Sequence, residues 1–268
     1  MTNTTKTIRI ANLTTLVMFV SSKQGMKDTK KGVMISLPHN VETKEGQQFT
    51  TWYTCFVNNA NHIAMIKGSV DSKHPLVFEG IVSANPWRDA QGELQASLNL
   101  NVTNVRTLEK GKHVAQGTTL FTFINSGEKG DNVTELPSGK LGFSTATTTI
   151  YGVDKKSTTW YGVYVSNDAA KTIIKGSTDS KSLVKMFGAV SAAKPYDKDG
   201  AVKCGLTFNA FTAEVVSGHK PSGSNDASEV ANAAMILTPL QTAAANNNTV
   251  ALAALTAATT ANTNAVNT

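Results

Sequence analysis

The chain has 268 residues, room for two ordinary domains or one large one, and only 16% of them are charged, against roughly 25% in typical soluble domains. Thr occurs 35 times, which favours strands over helices. The formal net charge is +6, and beyond residue 220 the only charges are Asp226 and Glu229, so the basic excess lies in the body of the chain and suits a polyanionic partner.

In chain order, strands are predicted over 6–20, 32–37, 49–57, 76–84 and 94–103. Turn signals separate them at Gly25, Pro38, Glu45-Gly46, Asn58-Asn59, Pro75, Asn85-Pro86 and Gln91-Gly92. A short helical or irregular piece, NHIAMIKG, falls between the third and fourth strands. Five more strands follow over 113–124, 139–149, 157–165, 183–192 and 201–212. His219 to Asn225 has a linker composition, SEVANAAMIL (228–237) reads as a short helix, and from Gln241 onward 23 of 28 residues are Ala, Thr or Asn. That last stretch has too few apolar anchors to offset its ordering entropy and is expected to be disordered.

The second set of strands repeats the first. Residues 50–101 lie over 158–209 without a gap, with 21 identities in 52 positions. FTTWYTCFVNN matches STTWYGVYVSN, IKGSVDSK matches IKGSTDSK, and GIVSA matches GAVSA. A unit of about 108 residues is the size of a domain rather than of a solenoid repeat. The expectation is two homologous domains, 1–109 and 112–218, followed by a linker and low-complexity tail over 219–268.

Alternation in the third strand separates two faces. Tyr53, Cys55 and Val57, like Tyr161, Val163 and Val165, read as core. Trp52, Thr54 and Phe56, like Trp160, Gly162 and Tyr164, lie on the other face. Either that face is also buried, under loops or a partner, or it is a stacking surface for bases. Five strands with a connector after the third match the OB-fold, a small Greek-key barrel, so the fold class expected is all-β with two tandem barrels.

The ordered motifs carry a resemblance. In the first repeat they are Trp52, Ala64, Lys67-Gly68-Ser69, Glu79-Gly80, Trp87, Asp89 and Gly92; in the second they are LPSGKLGFSTAT (136–147), Trp160, Lys175-Gly176-Ser177, Gly188 and Tyr196. With IRIANLT (8–14) at the start, the chain resembles the bacterial and phage single-stranded DNA-binding (SSB) family over nearly all of both repeats. The resemblance implies stacking aromatics at Trp52, Trp87 and Trp160, with Tyr196 in place of a loop Trp. A further family Phe falls on Asn58 and Ser166 here, and Phe56 and Tyr164 stand in for it. It also implies sequence-independent binding and protection of single-stranded DNA in replication or recombination, with a homodimer by analogy and a monomer as the alternative. The family's acidic, Phe-tipped tail is absent from ANTNAVNT, so replication or recombination partners would not be recruited through that device. The uncharged tail fits a phage or mobile-element origin.

Single-strand binding needs cations for the backbone beside π-faces for the bases. Candidates flanking the aromatics are Lys31, Lys44 and Arg88 in the first repeat, and Lys140, Lys155, Lys156 and Lys198 in the second. Enzyme chemistry finds no support: no phosphate-cradling glycine motif and no His-Glu-x-x-His occur, and the five histidines are scattered. Cys55 and Cys204 are too few for a disulfide framework or a four-ligand zinc site and fit a reducing cytoplasm, that of the host cell if the protein is phage-encoded. No cofactor, metal or membrane is expected. A structural virion component of tandem β domains and an OB-type RNA binder are the competing readings.

Overall fold

The computed structural model describes residues 12–42, 48–127, 132–151, 155–180 and 182–216; at 41, 42, 48, 49, 149–151 and 155–157 only the backbone is described. The expected start of the first strand, Lys44, the linker and the tail with its expected helix lie outside these residues.

In the first repeat β1 (Asn12–Met18) leads through a single 3-10 turn and a short β2 (Lys27–Thr29) to β3 (Gly32–Glu42) and β4 (Gln48–Val57). Helix α1 (Ala60–Gly68) follows, then the long hairpin β5 (Leu76–Arg88) and β6 (Leu94–Thr107). The Asn59 side chain caps α1 by accepting from the Asn61 and His62 amides. Strand order is β2-β3-β4-β6-β5-β1, with β4 and β6 parallel and the other neighbours antiparallel, and β1 comes back against β3 to close the barrel. The second repeat runs β7 (Gly117–Phe123), β8 (Thr134–Glu135), β9 (Leu141–Tyr151), β10 (Lys155–Val165), α2 (Asp168–Ser177), β11 (Leu183–Ala192), the small hairpin β12 (Tyr196–Lys198) and β13 (Ala201–Lys203), and β14 (Leu206–Val215). Its pairings repeat the first, including the parallel β10–β14 pair. Each repeat is therefore an OB-fold barrel.

Both barrels belong to one compact unit, since β1 and β7 pair antiparallel and join all the principal strands in a single 12-stranded sheet. The described part of the second unit, Glu109–Ala115, holds a turn closed by the Lys112 amide on the Glu109 carbonyl at 3.0 Å.

Two prolines read as turn signals lie inside strands. Pro38 pairs with Trp52 and Pro86 with Ala96. On its other side, β3 is paired to β2 only as far as Met34, and β5 to β1 only as far as Gly80. Each proline thus stands where the strand has a free edge, where its missing N–H costs no ladder bond. Gly80 and Gly188, the shared glycines of GIVSA and GAVSA, sit at matching β-bulges. A Cβ there would lie 2.4 Å from the Asn101 carbonyl oxygen and 2.1 Å from that of Asn209, so only glycine fits.

The seam has a local two-fold axis. Thr14 faces Gly80 on β5, and Thr118 faces the equivalent Gly188 on β11, so these threonines are structural counterparts, and they pair with each other. Their hydroxyls bond at 2.8 Å in a buried setting. Two residues before each stands a carboxamide. Asn12 donates to Tyr161 Oη at 2.6 Å and Thr147 Oγ1 at 3.2 Å, across the seam. Gln116 Oε1 accepts from the Val17 amide at 2.8 Å and from His39 Nε2 at 3.0 Å, the reverse crossing. His39 also meets Tyr53 edge-on, with ring centroids 6.4 Å apart.

The hydroxyl pair predicts a non-additive cycle. Thr14→Val strands the buried Thr118 hydroxyl and should cost about 1–3 kcal/mol, while Thr14→Val with Thr118→Val should recover most of that loss in denaturant melts. His39 predicts a pH dependence. Burial pulls its pKa below the ordinary 6.5, against the raising effect of the Gln116 bond. The unfolded chain therefore binds the proton more readily, so stability is full above pH 6.5 and falls as pH drops below it towards the folded value. His39→Thr, which installs the residue found at the equivalent Thr147, should flatten the fall in melting temperature over that window.

Candidate nucleic-acid interface

The alternation of β4 and β10 is realised in space. Tyr53, Cys55 and Val57, and Tyr161, Val163 and Val165, are buried in the barrels. Burial raises the Tyr53 pKa to about 12, and pushes those of Cys55 and Tyr161 up as well. The intervening side chains face outward, and Trp52 is 56% and Trp160 63% exposed. Phe19 and Phe211 are comparably exposed elsewhere, so what sets the two tryptophans apart is their matching outward place on β4 and β10.

Register sets the neighbours of each aromatic. Trp52 stands beside Pro38, and Phe56 lies between Met34 on β3 and Asn101 on β6. Trp160 stands beside Ala146, and Tyr164 lies between Gly142 and Asn209. Phe56 is half-buried and Tyr164 exposed. Trp87 is exposed near the tip of the β5–β6 hairpin, opposite Gln95. Asp89 holds that tip: its carboxylate accepts from Gln95 Nε2 at 3.0 Å and from the Glu93 and Gln91 amides at 2.9 and 3.1 Å, with Gln95 chief among the causes that lower its pKa. Tyr196 is exposed at the base of the β12–β13 hairpin, opposite Lys203.

The cations are distributed differently from the aromatics. Arg88 donates to the Gly92 carbonyl at 3.1 Å and forms an ion pair with Asp197 of the second repeat, tying the two hairpins together. Lys31 lies exposed in the β2–β3 turn, Lys140 exposed in the turn entering β9, and Lys198 exposed opposite Ala201. Lys155 and Lys156 enter β10 opposite Tyr151 and Ile150. The lysine of each Lys-Gly-Ser motif pins a short edge strand, Lys67 to Asp28 of β2 at 3.4 Å and Lys175 to Glu135 of β8 at 3.0 Å. Among the described residues no group of three or more His, Cys, Asp or Glu could hold a metal, and no helix is long and apolar enough to cross a membrane.

Sequence reasoning missed the Asp197 partner of Arg88, the crossing carboxamides Asn12 and Gln116, and a row of asparagines on the outer face, Asn85, Asn99 and Asn101. Alternation along 94–103 would have flagged the last two, since Leu98 and Leu100 bracket Asn99.

No protein-family model matches the chain, and no curated protein matches it. Among the solved structures it is similar to are single-stranded DNA-binding proteins. That of Thermus aquaticus, wild type, shares 10% identity at a TM-score of 0.45, covering 80% of this chain and 96% of that one. A small one from Streptomyces coelicolor shares 14% identity at 0.29, over 39% of this chain and 95% of that chain. The Plasmodium falciparum protein in complex with single-stranded DNA shares 18% identity at 0.29, over 37% and 95%.

Two-faced strands predict two-faced mutational effects. Trp52→Ala and Trp160→Ala should leave unfolding free energy within about 0.5 kcal/mol of wild type, while Tyr53→Ala and Tyr161→Ala should cost about 3–5 kcal/mol. Sharp destabilisation by the tryptophan variants would show that the outer face is covered.

Proposed function

We propose that the chain binds single-stranded DNA without sequence dependence, stacking bases on Trp52, Phe56 and Trp87 of one barrel and on Trp160, Tyr164 and Tyr196 of the other, and so protects the strand during replication or recombination. The observation that carries this reading is the exposed aromatic pair at matching outward positions of β4 and β10, kept in both repeats on a face that the barrel core does not need. Every base has a π-face, so such a platform accepts any sequence. Backbone phosphates would be met by Lys31, Lys44, Lys140, Lys155, Lys156 and Lys198, in keeping with the basic body of the chain. Arg88 joins them only by leaving Asp197. One chain offers two faces, and a homodimer would offer four.

The test is a salt titration of poly-dT binding followed by tryptophan fluorescence. Fluorescence should be quenched on binding, and log affinity should fall against log salt with a slope of about −0.7 for each phosphate contacted. Trp87→Ala should weaken binding more than Tyr196→Ala, within the roughly 1–3 kcal/mol that stacking of one base contributes. A flat salt response, or tighter binding to duplex of equal length, would sink the reading, and a matched RNA strand that outcompetes DNA would move it to RNA.

A further inference from the structure

The two outer faces are not chemically alike. Position by position, the first repeat carries Asn85, Ser97 and Asn99 where the second carries Ala193, Gly205 and Thr207. Thr54 opposite Asn99 becomes Gly162 opposite Thr207. Common to both are the carboxamide beside the strand aromatic, Asn101 beside Phe56 and Asn209 beside Tyr164, and a serine on the neighbouring strand, Ser83 facing Asn99 and Ser191 facing Thr207.

We infer that Asn85, Asn99 and Asn101 form a row that hydrogen-bonds the edges of bases stacked on the first repeat, and that the second repeat holds its bases chiefly by stacking. This rests on the single-strand reading above.

Three observations support the row. First, its place: Asn99 and Asn101 are directly opposite Thr54 and Phe56 on β4, and Asn85 is two residues before Trp87 on β5. Asn85 pairs with Ser97, one outward position before Asn99 on β6, so the three adjoin one another beside the β4 aromatics and Trp87. Second, their state: among the described residues none of the three carboxamides has a hydrogen-bond partner, whereas nearby Gln95 is held by Asp89 and Asn104 by Glu79 at 2.9 Å. Third, their cost: Asn is disfavoured in strands, and these three stand in the longest hairpin among the described residues without capping or turning anything.

The chemistry suits a binder without sequence preference. A carboxamide has both donor and acceptor, so by rotating it can meet adenine, cytosine or thymine alike. Outward positions on β6 repeat every two residues, about 6.7 Å, near twice the 3.4 Å step along one duplex strand. A strand laid along β6 would be unstacked, with base edges open to Asn99 and Asn101.

The experiment separates edge contacts from stacking. The full chain is titrated with a dT oligomer, and with the same oligomer carrying 2,4-difluorotoluene in place of thymine, which keeps the shape and stacking of the base but offers no comparable hydrogen bonds. Wild type should prefer the thymine strand by about tenfold. Asn85→Ala/Asn99→Ala/Asn101→Ala should collapse that ratio towards one while still binding both strands. The corresponding valine set, better suited to strands, checks the result should the alanine set melt early. A control, Ser191→Ala/Thr207→Ala on the second repeat, should keep the wild-type ratio. An unchanged ratio in both Asn sets, or no preference in wild type, overturns the inference and leaves single-strand binding standing. Loss of the ratio in the control overturns its assignment to the first repeat. Failure of wild type to bind either strand overturns the parent reading as well.

Discussion

The antiparallel pairing of β1 with β7 is the constraint on which the molecule depends. It joins two barrels edge to edge, so that neither first strand is left as an open ladder. Because Thr14 pairs with its own counterpart Thr118, the arrangement is two-fold by construction, and each barrel sends a carboxamide across the axis. Asn12, Thr14 and Thr118 are buried, and an unpaired buried polar group costs more than a paired one contributes, so they fix one register among the slips that apolar side chains alone would tolerate. Asn12 and Gln116 then do different things at equivalent places, one donating to Tyr161 and the other accepting from His39. The duplication has kept the geometry of the seam and let its chemistry diverge.

From that seam outward, the same inner rows build both cores. Tyr53 and Tyr161 turn inward because Trp52 and Trp160 turn outward, and the period of two leaves no other arrangement. The bulges at Gly80 and Gly188 bend β5 and β11 where their pairing with β1 and β7 ends. Beyond that bend the repeats part company. β5 stays paired to β6 all the way to Arg88, while β11 ends at Ala192 and a separate small hairpin follows. The Cys204 thiol donates to the Ala193 carbonyl at 2.9 Å in the gap. A Pro at 195 where the first repeat has Trp87 accounts for the break, since it can supply no ladder bond there.

Much of this was legible in the residues. The repeat, the order of the strands and the two faces of β4 and β10 all follow from identities at a fixed offset and from alternation. What was not legible depends on pairs far apart in the chain. The offset of 108 residues that aligns Gly80 with Gly188 does not align Thr14 with Thr118, which are 104 apart, so a gapless comparison passes over the seam. Pro38 and Pro86 read as turns because a local signal cannot reveal that a strand's other edge is free. The Lys-Gly-Ser motif read as a family mark, and its lysine proves to hold an edge strand whose partner acid lies about 40 residues away.

Arg88 shows how site and scaffold compete for one side chain. A cation beside Trp87 is where a bound strand would need it, yet the guanidinium lies on Asp197 and the Gly92 carbonyl. Both partners of the pair are substantially exposed, so it contributes on the order of 1 kcal/mol or less and is weakened by salt. A backbone phosphodiester can also take a guanidinium bidentately, with the same single charge as a carboxylate, and a strand brings several such charges close together. The pair therefore joins the hairpins of the two repeats without fixing them strongly, and its opening would free a cation on one hairpin and expose Asp197 on the other. The two aromatic faces are in this way coupled at their tips by a contact weak enough for a polyanion to displace, while the seam between β1 and β7, buried and hydrogen-bonded, stays fixed.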